Sequence, residues 1–263
     1  MHRLAAVLVV TLFIASCATT TPVPPAARAE LAPTGKLRAG INFQNTLLTT
    51  LGPNGEQGGV AVELVRELAR RLDVPLEIIP YKSAGVTADA VKTGAWDVAV
   101  LGDEPQRAKD IAFAGALTEI EATYLVPAGS TLRNVGEVDR PGVRIVVPAQ
   151  SAYDLYLSRN IKQAQLVQIP GTAAAYKHFI AEKRDVLAGL KPALLDYAAK
   201  LPGSRILDGN FSVVRHTAGT VRGRDAGAAY LREFVEDVKA SGLVAQWIEK
   251  SGVKGLSVAP PAK

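Results

Sequence analysis

The chain holds a single cysteine, Cys17, in 263 residues, so no intrachain disulfide can form and packing must supply the stability. Histidine is almost as scarce. His2, His178 and His216 show no metal-ligand spacing and have no cysteine partner, so neither a metal nor a cofactor is expected. His178 and His216 are expected at surface or half-buried positions. No Gly-x-Ser-x-Gly elbow and no phosphate-binding glycine loop is present, which removes two common catalytic motifs. Lys and Arg are dispersed without runs or interleaved aromatics, which argues against nucleic acid as a partner.

Hydrophobic residues, by contrast, make up 48% of the chain, enough for a sizeable core in one large domain or two small ones. At the start, Arg3 precedes an apolar stretch at positions 5–15 that is too short to span a bilayer comfortably. This is the pattern of a secretory signal over residues 1–16 and predicts an extracytoplasmic protein. The formal charge of +5 falls to +4 once Arg3 leaves, a mild basic excess compatible with work near anionic lipid. Ile14-Ala15-Ser16-Cys17 resembles a lipobox, the processing site of bacterial lipoproteins. The resemblance implies a lipid on Cys17 and a membrane-anchored, periplasmic or cell-envelope location. An ordinary signal whose cysteine lies near the cut is the alternative.

Residues 17–34, rich in Thr, Pro and Ala, have little to bury and are expected to form a flexible tether. The folded part is expected to begin near Gly35. Positions 36–43 read as a buried strand, and Pro53-Asn54-Gly55 as a turn. Ala61, Leu64, Val65, Leu68 and Leu72 then recur at helical spacing, with Glu63, Arg66, Glu67 and Arg70 on the opposite face. Strands at 75–80 and 96–101 flank a helix at 87–93. After Tyr124 the alternation resumes, with strands at 143–147, 166–169 and 185–188. Ser151 and Thr172 are placed to cap helices running to about 157 and 182, and a third helix covers 192–200. A last strand near 212–220 precedes a helix with Leu231, Phe234, Val235 and Val238 on one face, then a short helix around Trp247. Residues 259–263 are expected to be a loose tail. Such alternation predicts mostly parallel sheets covered by helices, in two α/β lobes.

Four segments in order, 35–41 (GKLRAGI), 58–72 (GGVAVELVRELARRL), 92–98 (KTGAWDV) and 105–113 (PQRAKDIAF), resemble motifs of solute-binding protein family 3 of bacterial ABC transporters. The likeness runs from about 35 to 252. It implies a periplasmic-binding-protein-like fold, with two lobes joined by a two-strand hinge around a ligand cleft. Lobe 1 would take 35–123 and 213–258, and lobe 2 residues 124–212. It further implies a monomer that closes on a small carboxylate-bearing solute, an amino acid or related organic acid, and delivers it to a membrane permease.

Arg107 aligns with the family's arginine that grips the ligand carboxylate, a match for the planar fork of a guanidinium. A surface arginine is the alternative. Ser151 matches the hydroxyl residue that completes the anion site at a helix start, although a plain cap would use the same residue. Thr172 fits the same description. Asn42 and Asn45 follow the first strand, where the family places ligand contacts and where Asn is also a common turn residue. Tyr81 is placed either to stack on a ligand or to cover the core edge.

Two departures from the family stand out. Leu190 occupies the place of the Asp that pairs with a ligand ammonium, and the loop 97–107 is about two residues short, with Glu104 where a Thr is common. Lys191 is then a candidate for a second acidic group on the ligand, and Asp103 for a displaced ammonium partner. Two rival functions share the fold. A periplasmic, dehydratase-like enzyme would need an acid or base in the cleft, with Asp103, Glu104 and Lys191 as candidates. A sensory receptor would report the solute without transport. Glu119 and Glu121, at alternate positions in an extended segment, are expected to form a solvated face.

Overall fold

A computed structural model describes residues 22–262. The signal segment, Cys17 and residues 17–21 lie outside the described residues. In chain order the first half contains α1 (Pro25–Leu31), β1 (Leu37–Asn42), the β2–β3 hairpin (Thr50–Leu51, Gln57–Gly58), α2 (Val60–Leu72) and β4 (Leu76–Tyr81). Next come α3 (Ala84–Asp89), β5 (Val98–Gly102), β6 (Ile111–Phe113) and β7 (Thr118–Val126). The middle holds β8 (Arg144–Pro148), α4 (Ala152–Asn160), β9 (Gln165–Ile169), α5 (Thr172–Ala181), β10 (Val186–Leu190), α6 (Lys191–Ala198) and β11 (Arg205–Ile206). The chain closes with β12 (Ser212–Val221), α7 (Asp225–Ala240), α8 (Leu243–Ser251) and β13 (Ser257–Val258).

Two α/β lobes result, built on the same plan. In the first, β1 pairs in parallel with β4 and β5, and β5 runs antiparallel to β12. In the second, β8 pairs in parallel with β9 and β10, and β10 runs antiparallel to β7. The long strands β7 and β12 pair with each other through Ser212–Ala122 to His216–Thr118 and carry the chain between lobes. The strand order β4-β1-β5-β12-β7-β10-β8-β9 is therefore continuous. Loops at the carboxyl ends of the parallel strands in the two lobes face each other, the usual place for a ligand in open α/β sheets.

Helical spacing in α2 translates directly into packing. Leu64, Val65, Leu68 and Leu72 are buried, while Arg66 and Arg70 pair with Glu63 and Glu67 on the outer face. The helix ends at Asp73 in the left-handed conformation, φ 52°. A shared ion pair fixes the first parallel strand in each lobe. Asp97, fully buried just before β5, accepts from Arg38 Nη2 at 2.8 Å and from Arg224 Nη1 at 3.0 Å. Asp185, just before β10, accepts from Arg144 Nε at 2.8 Å and from the Arg144 amide at 2.9 Å. Arg144 holds the Asp185 carboxyl below the usual range, against a smaller opposing effect of burial.

Both expected loose ends are corrected. Within the tether expected over 17–34, residues 25–31 form α1, which packs on α7 with Ala27 and Leu31 fully buried. Pro25 at the first helical position already has the required φ, and alanine has the highest helix propensity. Glu30 then accepts from the Gly227 amide at 2.8 Å, capping the start of α7, whose own Arg224 supplies no side-chain cap. At the other end, the Ala259 amide donates to the Leu117 carbonyl at 3.0 Å, and Lys239 Nζ reaches the Pro260 carbonyl at 2.9 Å. The expected helix at 87–93 begins earlier, at Ala84, capped by Ser83 and ending in a 3-10 turn over Ala90–Thr93.

Truncating Leu31 to Ala should lower unfolding stability by about 2–5 kcal/mol, the range for a cavity at a fully buried leucine. Glu30→Ala should cost about 0.5–2 kcal/mol through the lost cap. Urea unfolding reads both, and a stability unchanged by Leu31→Ala would mean that α1 does not dock. Asp97→Ala should fall toward the lower end of the ~3–5 kcal/mol expected for breaking a buried ion pair, because Arg38 and Arg224 keep some access to water. The same unfolding curve measures it.

Candidate functional site

Between the lobes lies a cavity of ≈ 340 Å³. Lobe 1 contributes residues 42–47, from the end of β1 onward, and 82–84, after β4. Lobe 2 contributes Pro148, Ala149, Ser151 and Tyr153, then 171–173, and the run 187–190 with Ala193, Leu194 and Tyr197. No aspartate or glutamate is among these lining residues, and Lys82 is the sole charged one. The lobe-2 wall is largely apolar, with Tyr197 stacked on Tyr176 at 3.9 Å between ring centroids. A smaller chamber of ≈ 40 Å³ adjoins it, sharing Asn42, Asn45 and Ala84 and lined also by Thr49, Gly102, Arg107 and His216.

Arg107 opens a 3-10 turn after β5 and is 5% exposed. Its Nη1 donates to the Gly102 carbonyl at 2.9 Å and its Nη2 to the Gln150 carbonyl, across the cleft, also at 2.9 Å. Both partners are neutral. Burial lowers its pKa to about 10, with Glu104 and Asp103 acting at longer range in the opposite direction. The surface-arginine alternative is therefore set aside by position: this guanidinium is buried beside the cleft. Gly102 permits the approach, since a Cβ there would lie 2.9 Å from the Ala152 Cβ of the other lobe.

Gln150 is itself unusual, with φ 57° in a non-glycine residue. Its amide donates to Asp154 Oδ2 at 2.7 Å, and Asp154 is held in turn by Gln168 Nε2 at 2.8 Å. This network turns the Gln150 carbonyl toward Arg107. Ser151 caps α4, its Oγ accepting from the Asp154 amide at 3.0 Å, and it also lines the cavity. Thr172 lines the cavity as the first residue of α5, but Gly171, φ 92°, stands at the cap position instead. Tyr153, which the sequence did not single out, lies buried between them. Burial raises its phenol well above the ordinary value, and the Ser151 and Thr172 hydroxyls partly offset this.

Asn42 and Asn45 line both chambers. Asn42 Oδ1 accepts from the Gln44 amide at 3.0 Å, and Asn45 Nδ2 lies 3.3 Å from His216 Nε2. Asn42, Asn45, Ser151, Thr172 and Arg107 are thus brought together. Three other candidates are not. Lys191, at the start of α6, pairs with Glu121 at 2.6 Å and lines a separate groove beside the hinge strands. Tyr81 packs with Trp96 and Ile79 over Gly40, as cover for the core edge. Asp103 is exposed and lines neither chamber; burial of part of its carboxyl raises its pKa against the opposing pull of Arg215 and Arg107.

Glu104 is 8% exposed and pairs across the lobes with Arg159 at 2.6 Å. Burial raises its pKa and the Arg159 hydrogen bond lowers it. Glu119 and Glu121 stand at alternate positions of β7 and pair with Arg215 and Lys191. His178 is half-buried as expected, whereas His216 is 6% exposed, a correction to the expectation of a surface or half-buried ring. It sits on β12 where that strand leaves β7 for β5.

A family model described as bacterial extracellular solute-binding proteins, family 3, matches residues 37–253. No curated protein sequence matches the chain. Among solved structures, the solute receptor for L-cysteine of Neisseria gonorrhoeae superposes with a TM-score of 0.75 at 17% identity, covering 87% of this chain and 95% of that one. A mutant of ArgBP from T. maritima gives 0.72 at 20% identity, with 86% and 99% covered. An amino acid ABC transporter substrate-binding protein from Streptococcus pneumoniae, bound to L-arginine, gives 0.71 at 18% identity, with 89% and 99% covered. These likenesses share the two-lobed fold described above, and the family match spans both lobes and the hinge between them. The chain belongs to the bacterial extracellular solute-binding proteins, family 3.

Proposed function

We propose that the protein captures a small carboxylate-bearing solute, an amino acid or related organic acid, between its lobes and passes it to an ABC permease in the membrane. The observation that carries this reading is Arg107, a buried guanidinium beside the cleft whose hydrogen-bond partners are both neutral carbonyls. A cation in such a place is costly unless an anion joins it, and a planar carboxylate is the complement of a guanidinium. Asn42, Asn45, Ser151 and Thr172 would contribute polar contacts around it.

Among the lining residues no carboxylate stands ready for an ammonium group, and Leu190 is part of the wall. This favours an organic acid over an α-amino acid. In this reading the lobes divide at the crossing strands, with 35–123 and 213–258 in one and 124–212 in the other. Secretion through the signal at 1–16, a lipid on Cys17 and action as a monomer complete the proposal. No cofactor or metal takes part in it.

Simple binding is favoured over turnover by the fate of the candidate acid–base groups. Lys191 and Glu104 are committed to ion pairs, and Asp103 lies outside the cavity. A thermal-shift screen of amino acids, 2-oxo acids and dicarboxylates finds the solute, since a ligand well above its Kd raises the melting temperature by mass action. Arg107→Ala should then weaken that solute by about 2–5 kcal/mol, the cost of leaving one partner of a buried charge pair alone. Calorimetric titration measures it, and an affinity unchanged in a folded variant removes Arg107 from the site.

A further inference from the structure

The two ring nitrogens of His216 are in different situations. Asn45 Oδ1 accepts from the Leu47 amide at 3.3 Å, so the amide nitrogen of Asn45 is the atom facing His216 Nε2, 3.3 Å away. An amide nitrogen offers protons and accepts none. Nε2 must therefore accept, and in the neutral ring the proton sits on Nδ1. Burial and the nearby Arg107 charge keep the ring neutral, lowering its pKa to about 3. The Nδ1–H is buried and has no acceptor among the described residues. An orphaned buried donor carries a desolvation penalty that a ligand acceptor would relieve.

Arg107 lines the same ≈ 40 Å³ chamber. Of its five N–H groups, two are committed to the Gly102 and Gln150 carbonyls. Arg107 and His216 thus both line a chamber that contains no acidic side chain. Its volume suits a head group and not a whole solute, whose remainder has the adjoining ≈ 340 Å³ cavity.

We propose that His216 is a ligand-binding residue, whose neutral Nδ1–H completes with Arg107 a two-donor seat for the carboxylate head group of the solute. The inference rests on the carboxylate reading above. Arg107 supplies the charge and His216 the direction, accepting only a group with a lone pair at the Nδ1 position. Asn45 sets which ring nitrogen carries the proton, so it acts as a positioning residue for His216.

Formate tests the seat without knowledge of the solute. The chain lacking its first 16 residues, which retains every described residue, is labelled with 15N and titrated with sodium formate at pH 7.5 and constant ionic strength. Its imidazole 15N–1H correlations come from His178 and His216 alone, and His216→Asn assigns them. The expected result is an Nδ1–H tautomer for His216 whose Nδ1 signals move saturably with formate while those of His178 stay still. His216→Leu should raise the formate Kd at least tenfold. His216→Asn, which keeps an N–H near the Nδ1 position, should recover most of that loss. An Nε2–H tautomer overturns the inference, as do saturable shifts at the Asn45 and Ser151 amides without a response from His216, and both leave the carboxylate reading in place. No saturable shift anywhere in the cleft overturns both.

Discussion

The antiparallel ladder between β7 and β12 is the constraint on which both lobes depend. Each lobe is a parallel triplet, and a parallel sheet is covered by helices on its faces. The crossing strands supply a partner to the inner edge of each triplet, β12 to β5 and β7 to β10. Because each crossing strand runs antiparallel to the triplet it joins, the carboxyl ends of both triplets are turned toward the same gap. The cleft is a consequence of this polarity and needs no special sequence. Its chemistry comes from the few residues at or just past each strand end: Asn42 at the end of β1, Lys82 and Ser83 after β4, Ala149 and Ser151 after β8, and Leu190 at the end of β10.

Charge is handled in two contrasting ways along these strands. Arg38 with Asp97, and Arg144 with Asp185, repeat one arrangement in both lobes: an arginine at the start of the central strand meets an aspartate just before its neighbour. These are at the amino ends of the sheets, away from the cleft, and each arginine has a carboxylate partner. Arg107 stands at the opposite end of its sheet with no matched carboxylate and is far more buried than Arg38 or Arg144. At the partly exposed Arg144–Asp185 pair the net interaction is worth at most about 1 kcal/mol, and buried Asp97 has its arginine partners in place, whereas an unmatched buried charge carries a penalty of several. The difference in magnitude separates the structural arginines from the functional candidate.

Much of this was legible in the sequence. Alternating strands and helices gave the fold class, and the Leu64 to Leu72 spacing set the face that α2 buries. Ser151 caps α4, as its place before the helix predicts, and also stands in the cleft wall, so one residue is compatible with both readings. The failures have physical causes. Composition made 17–34 look unable to fold, but a seven-residue helix needs only Ala27 and Leu31 to dock on α7. Lys191 is next to the cleft residue Leu190 in sequence, yet the first turn of α6 swings its side chain to Glu121 on the hinge. His216 carried no local signal, because its role arises from a strand crossing that brings Gly102 and Thr118 to either side. Tyr153 was hidden for the same reason, since only the folded loops place it between Ser151 and Thr172.

Contacts across the lobes bear on how a solute could act. Glu104 with Arg159 and Gln150 with Arg107 already join the two lobes around the cavity. A ligand shifts the balance between open and closed forms only by its differential affinity for them, so contacts available in both contribute nothing to closure. The Gln150 carbonyl meets Arg107 from the opposite lobe, and it uses one N–H while leaving others free. An anion in the chamber would add its own charge to that cation and so strengthen a site that the protein dipole alone only half satisfies. A ligand cation, by contrast, would find only the dipoles of hydroxyls, amides and carbonyls in the larger cavity. The asymmetry of the lining thus supports the reading of an anionic solute, since each unmatched buried group costs most where water is excluded.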